Sequence, residues 1–112
     1  MSLKIHKIEI EKKAKIFSVL GDSTRLGLVT SLVDGEKRSI TELTEGSTLS
    51  RQAVTKHLKL LEDVGLVKGE KSGREILYEL KIESLAEVRQ MLENIEGQWD
   101  STLNRLKILL ET

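Results

Sequence analysis

A mainly α-helical fold with one small β-hairpin is the class that this sequence predicts, and three observations predict it. Apolar residues recur at threes and fours along most of the chain, the period of a helix with one buried face. That period breaks once, across "LVKGEKSGREILYEL", where short runs flank Ser72-Gly73 and apolar residues alternate with charged ones, as in a hairpin. No Pro, linker, repeat or low-complexity tract interrupts the 112 residues, so a single domain over 1–112 with one modest core is expected.

The elements follow in order. Over residues 9–20, Ile10, Ala14, Phe17 and Leu20 lie near a helical period that Gly21 ends. In "GDSTRLGLVTSLVDG", Asp22 or Ser23 can cap a second helix and Gly35 can stop it. Its expected core face is Leu26, Val29 and Val33, widened by Leu28 and Leu32. "SITELTEGSTLS" predicts a short helix from Thr41 to about Glu45, with Ile40 and Leu43 inward, followed by a break. Ser50 is a good N-cap for the next helix, which runs to about Val64 and stops at Gly65. Val54, Leu58 and Leu61 share its inner face, which leaves Arg51, Gln52, Thr55, Lys56 and Lys59 outside. The hairpin occupies about 66–80, with Ile76, Tyr78 and Leu80 alternating with Glu75, Leu77 and Glu79. From Ile82 onward, Leu85, Val88, Leu92, Ile95, Trp99, Leu103 and Leu106 predict one long helix, or two joined near Gly97.

Composition narrows the chemistry. There is no Cys, which excludes disulfides, thiolate metal sites and thiol redox sensing. No apolar run approaches the ~20 residues of a membrane span, and the N-terminal "MSLKIHKIEIEKKAKIF" shows no secretory pattern, so a cytoplasmic protein with no membrane partner is expected. The formal net charge is zero, but unevenly assembled. Residues 1–50 carry 8 Lys and Arg against 7 Asp and Glu, residues 51–74 carry 6 against 3, and residues 75–112 carry 4 against 8. A polyanion would meet the basic middle and avoid the acidic tail.

The middle also has the right order. A short helix, a tight break and a longer polar-faced helix, over about 40–64, form the helix-turn-helix plan, in which the second helix enters the DNA major groove. Backbone amides behind Ser50 can hold a phosphate. Arg51 and Gln52 are the residue types that pair bidentately with guanine and adenine edges, and Thr55 and Lys56 lie one turn along the same face. Lys59 extends that face. The hairpin behind it offers Lys68, Lys71 and Arg74 to backbone phosphates, as a basic wing. A solvated helix beside a charged hairpin is the bland alternative. The wing directly behind the helix favours DNA.

At this point a family resemblance is visible. "VLGDSTRLGLV" looks like the L-G/A-D-P-T-R-L signature of the ArsR-type winged-helix transcriptional regulators, with Ser23 where Pro is usual. "ITELTEGSTLSRQAVTKHLKLLEDVGLV" resembles that family's helix-turn-helix, "GREILYEL" its wing strand, and "IEGQWDSTLNRLKILLE" the branch whose last helix carries Q-W-D. The resemblance covers nearly the whole chain. It implies a homodimeric DNA-binding regulator, usually a repressor, whose helices at about 9–20 and 82–111 form the dimer interface. Phe17 falls on the first of these. On the second, Ile95, Trp99, Leu103, Leu106 and Leu110 make an apolar stripe that one small domain could hardly bury alone. Two recognition helices would read an inverted-repeat operator on double-stranded DNA.

Two departures stand out. Many relatives have Gly just before the leucine preceding the recognition helix, where this chain has Thr48; a left-handed backbone there would be strained. The family's metal sensors use cysteines on the short helix, or His and carboxylates on the last one. Here "SITELTEG" lacks Cys, residues 75–112 lack His, and His6 and His57 are far apart. Glu93, Glu96 and Asp100 share a helical face and could take a hard cation, but a solvated acidic face is the commoner reason for such spacing. No metal effector and no cofactor are expected.

Several residues stay open to two readings. His57 either touches a phosphate or packs at the helix edge with one nitrogen bonded. Arg25 is expected in a structural ion pair rather than on DNA, Tyr78 in strand packing, and Trp99 in a dimer core rather than an effector pocket. No Ser-His-Asp set, phosphate-cradling Gly loop or paired catalytic carboxylates stand out, so an enzyme is not expected. A winged helix used only for protein contact would have a neutral or apolar outer face, unlike residues 51–59. A small-molecule effector leaves no motif and stays open, as do the operator and the direction of regulation.

Overall fold

The computed structural model describes the backbone of residues 3–111 and the side chains of residues 7–111, so the His6 side chain lies outside the described residues. The elements are α1 (Leu3–Leu20), α2 (Ser23–Ser31), β1 (Arg38–Ser39), α3 (Ile40–Glu45), α4 (Arg51–Asp63), β2 (Val67–Ser72), β3 (Glu75–Leu80) and α5 (Ile82–Glu111). They divide into two compact units, one through Ile82 and one from Glu83 onward, the second being α5 alone. No described helix is long and apolar enough to cross a membrane.

Capping chemistry sets the helix ends of the first unit. Asp22 caps α2 by accepting the Arg25 amide at 3.0 Å. Ser39 and Glu42 form a reciprocal capping box on α3, each side chain accepting the other's amide at 3.1 Å. Ser50 caps α4 by accepting the Ala53 amide at 3.2 Å. At the other end of α4, Gly65 takes a left-handed φ of 79°. Its amide donates to Glu62 O at 2.9 Å and the Leu66 amide to Leu61 O at 3.0 Å, the paired bonds of a Schellman stop. Leu66 then turns fully into the core.

The inner face of α4 is the one expected. Val54, Leu58 and Leu61 are completely buried, together with Leu32, Leu66 and, nearly so, Val67. Two other faces differ from expectation. On α2 the buried row is Leu28, Val29 and Leu32, while Leu26 and Val33 are exposed. The segment is apolar on two sides, and the chosen side is the one that also carries Arg25 inward. On α1 the buried residues are Ile16 and Val19; Ile10 and Ala14 are exposed and Phe17 is half-buried. The buried pair packs where α1 meets α2, and Ile10, Ala14 and Phe17 lie on a more open side of the helix.

The sheet is antiparallel, in the order β1-β3-β2. The strand Arg38–Ser39 pairs with Tyr78 and Leu77 and is absent from the sequence pattern, because two residues carry no readable alternation. Asp34 and Arg38 hold its entry, with guanidinium nitrogens 3.0 and 2.7 Å from the carboxylate oxygens. Those bonds, aided by the Glu36 amide, hold the Asp34 carboxyl down at about 2. In the hairpin Ser72 pairs with Glu75, which leaves Gly73-Arg74 as a two-residue loop. Only Gly73 in it has positive φ, 62°, the pattern of a type II′ turn. Gly69 faces Tyr78 so closely that an added Cβ would lie 2.9 Å from the ring. Burial there, reinforced by the charge of Glu62, raises the Tyr78 phenol above its usual range.

The turn between α3 and α4 needs no left-handed residue. Gly46 has φ −80°, and no described non-glycine residue has positive φ, so Thr48 is unstrained in Gly's usual place. α5 is one continuous helix through Gly97, which settles the choice between one helix and two.

Candidate nucleic-acid interface

The outer face of α4 presents Arg51, Gln52, Thr55, Lys56 and Lys59, all exposed. They lie opposite the buried row because a helix turns 100° per residue and the apolar positions occupy only one side. Ser50 spends its hydroxyl on the Ala53 amide, and the first backbone bond of the helix runs from Val54 N to Ser50 O at 3.1 Å. The amides of Arg51 and Gln52 lie ahead of that bond. They point out of the helix start, where the macrodipole favours an anion.

The five outward residues are not equally free. The Arg51 guanidinium donates to Thr41 Oγ1 of α3 at 2.8 Å. The Thr55 hydroxyl donates back to Arg51 O at 2.8 Å, which uses its one donor and leaves its lone pairs free to accept. Gln52, Lys56 and Lys59 have no side-chain partner among the described residues.

His57 sits elsewhere. It is half-buried, with Nδ1 3.2 Å from Arg25 Nη1. Arg25 in turn donates from Nε to Val19 O at 2.7 Å. Of the two readings of His57, the structure therefore shows edge packing with one nitrogen bonded. Arg25 is structural as expected, but its partners are a carbonyl and an imidazole rather than a salt bridge. The Asp22 carboxyl close by is lowered, mainly by the Arg25 amide that it caps. Arg25 thus ties the end of α1 and the start of α2 to α4.

On the wing, Lys68 faces Glu79 across the strands and forms an ion pair with it at 3.2 Å. The sequence centres the turn on Ser72-Gly73; the structure places the two-residue loop one position on, at Gly73-Arg74, and that register is what sets Lys68 opposite Glu79. Lys71 and Arg74, at the tip, have no ion pair among the described residues. Glu62 Oε2 accepts the Gly69 amide at 3.1 Å and so fastens the last turn of α4 to the outer strand. Lys37 reaches Glu70 at 3.4 Å. The wing is thus held at its base, and its free cations gather at its tip.

On α5, Ile95, Trp99, Leu103, Leu106 and Leu110 are all exposed, Trp99 by 62%. Glu93, one of the three acidic residues on that helix, accepts from Arg89 Nε at 2.9 Å. No three His, Cys, Asp or Glu side chains among the described residues converge as metal ligands.

Comparison with known proteins adds the following. A family model described as a helix-turn-helix domain matches residues 20–70, from the end of α1 into β2. The HTH-type transcriptional regulator YuzN of Bacillus subtilis is 38% identical over 68 residues, covering 55% of this chain and 74% of that protein. The HTH-type transcriptional repressor SmtB of Mycobacterium tuberculosis is 32% identical over 79 residues, covering 70% of this chain; the chain spans 58% of that repressor's length. The solved ArsR-like transcriptional regulator from Rhodococcus sp. RHA1 superposes with a TM-score of 0.79 at 35% identity, covering 90% of this chain and 94% of that one.

Proposed function

Because the chain belongs to the ArsR family of winged helix-turn-helix transcriptional regulators, we propose that it is a sequence-specific, homodimeric, cytoplasmic DNA-binding repressor that works without a transition metal. The family consists of regulators and not of enzymes. The observation that carries the reading is the polar and basic face at the start of α4, with unpaired cations at the wing tip behind it. A surface meant only for protein contact has no need of five such side chains on one helix face. SmtB is named a repressor, and that sense of regulation is carried over here.

Roles divide along the face. Arg51, Gln52, Thr55 and Lys56 read base edges. The Ser50 turn, Lys59, Lys71 and Arg74 meet phosphates. Lys68, paired with Glu79, contributes less than its charge suggests, and His57 serves the fold first.

Binding measured on operator and on random DNA, at several salt concentrations, tests this division. A bidentate base contact is worth about 1–3 kcal/mol of discrimination. Arg51→Ala or Gln52→Ala is expected to lower operator affinity by that amount and to relax preference at one or two positions. Lys71→Ala or Arg74→Ala is expected to weaken both DNAs alike and to reduce the salt slope by roughly one unit. Reversed patterns for Arg51 and Arg74 would exchange reader and anchor. In a dimer the half-sites form an inverted repeat, spaced by about one helical turn or a small multiple.

Dimerisation is assigned to the α5 stripe of Ile95, Trp99, Leu103, Leu106 and Leu110, with the outward row of α1 at Phe17 as a second apolar surface. An apolar stripe this long is unusual on a surface that stays in water.

Metal independence rests on the donor set. With no Cys, no His beyond Leu58 and Glu93 engaged by Arg89, a borderline metal finds no imidazole or thiolate cluster. Stoichiometric Zn or Ni is expected to leave operator affinity within about twofold, by titration with and without a chelator. A tenfold shift would overturn it.

A further inference from the structure

The contact between Arg51 and Thr41 joins two helices across ten residues of sequence. Both residues are exposed, so burial does not force the bond. Their backbones are fixed independently, Thr41 by the capping box of α3 and Arg51 by the Ser50 cap of α4. The hydroxyl takes one hydrogen of Nη1, at 2.8 Å. A guanidinium has five N–H donors, so the Nε–Nη2 edge keeps its full fork. That fork is the geometry that matches O6 and N7 of guanine. The acceptor is also neutral. Among the described residues no carboxylate pairs with Arg51, and the nearby Glu42 is turned onto the Ser39 amide. The side chain is therefore oriented without losing its charge.

We infer that Thr41 is a positioning residue for sequence readout, holding the Arg51 guanidinium pre-oriented towards a guanine edge. The inference rests on the assignment of Arg51 as a base reader. A free Arg gives up the rotamer freedom of a long side chain when it docks on a base. With Thr41 holding it, part of that freedom is already lost in the folded protein, so the correct base meets a prepared partner. A phosphate, which accepts a guanidinium in many poses, gains much less from the same restraint. Thr41 thus serves discrimination more than general affinity.

The test uses Thr41→Val, which keeps shape and removes the acceptor, and Thr41→Ser, which keeps the hydroxyl. Both are made in the full chain, with thermal unfolding to confirm folding. Affinities are measured on an operator selected from a random pool and on a random duplex of the same length. Thr41→Val is expected to cut the operator-to-random ratio by roughly tenfold, much of a bidentate contact. Thr41→Ser is expected to stay within about twofold of the parent. In an Arg51→Ala background, Thr41→Val is expected to add nothing, as for residues that act through one contact. If Arg51→Ala lowers the ratio and Thr41→Val does not, the positioning role fails and the base-reading assignment stands. If Arg51→Ala leaves the ratio unchanged, the base-reading assignment fails and takes the positioning role with it. Equal loss on both DNAs from Thr41→Val, or a gain on the operator, also overturns the inference.

Discussion

Trp99→Ala is expected to dissociate the proposed dimer. A buried Trp at an interface centre is worth about 2 kcal/mol or more on truncation. In a two-fold interface the same residue is lost from both sides. The dimer Kd is therefore expected to rise by roughly a thousandfold, at 1.4 kcal/mol per tenfold. Trp99 is 62% exposed, and Ile95, Leu103 and Leu106 at helical spacing around it are exposed as well. The apolar surface is thus already present and needs only a partner. Sedimentation over a dilution series is the direct measurement. Operator affinity is expected to fall in step, because two linked recognition helices gain from binding together and separate ones do not. A parent chain that stays monomeric at micromolar concentration, or a Trp99→Ala variant as dimeric as the parent, would remove α5 from the interface.

The second large effect is on stability. Leu58→Ala in α4 is expected to cost about 3 kcal/mol, within the 2–5 kcal/mol seen for truncating a buried Leu. Leu58 is 0% exposed and is flanked on its face by Val54 and Leu61, equally buried. For a domain of this size that loss lowers Tm by roughly 12–24 °C, a large share of a total stability of about 5–15 kcal/mol. Leu60 is the control. It lies two residues away on the same helix and is 39% exposed, so Leu60→Ala is expected to cost well under half as much. Thermal unfolding of the two variants side by side checks this, and equal losses would mean that the buried row has been misassigned. The inner row and the proposed reading face share one helix, so a variant that unfolds through Leu58 is expected to lose DNA binding as well. Arg51→Ala is expected to lower operator affinity while the chain stays folded.

Legibility differed from helix to helix. On α4 the apolar residues occupy one side and the polar ones the other, so periodicity alone selected Val54, Leu58 and Leu61. The wing was legible for a similar reason: alternation breaks at Ser72-Gly73, and the left-handed φ of Gly73 is what a two-residue hairpin loop demands. On α2 the same reasoning centred the core face on Leu26, Val29 and Val33 with Leu28 and Leu32 at its edges, and the fold buries Leu28, Val29 and Leu32 and leaves Leu26 and Val33 exposed. On α1 it chose Ile10, Ala14, Phe17 and Leu20, and the fold buries Ile16 and Val19, half-buries Phe17 and Leu20, and leaves Ile10 and Ala14 exposed. Both segments have apolar residues on more than one side, so local period permits two answers.

The sequence by itself determined the helical order, the cap at Ser50, the buried and outward faces of α4, and the hairpin that follows it, and it narrowed the cap of α2 to Asp22 or Ser23. These depend on neighbours a few residues apart, where spacing along the chain is spacing in space. Only the tertiary structure decided which sides of α1 and α2 turn inward, that Arg38–Ser39 joins the sheet, that Arg25 holds His57, and that Thr41 holds Arg51. Each of these is a choice between partners distant in sequence, separated by small differences in contact energy. It is made by the packing of whole elements against one another.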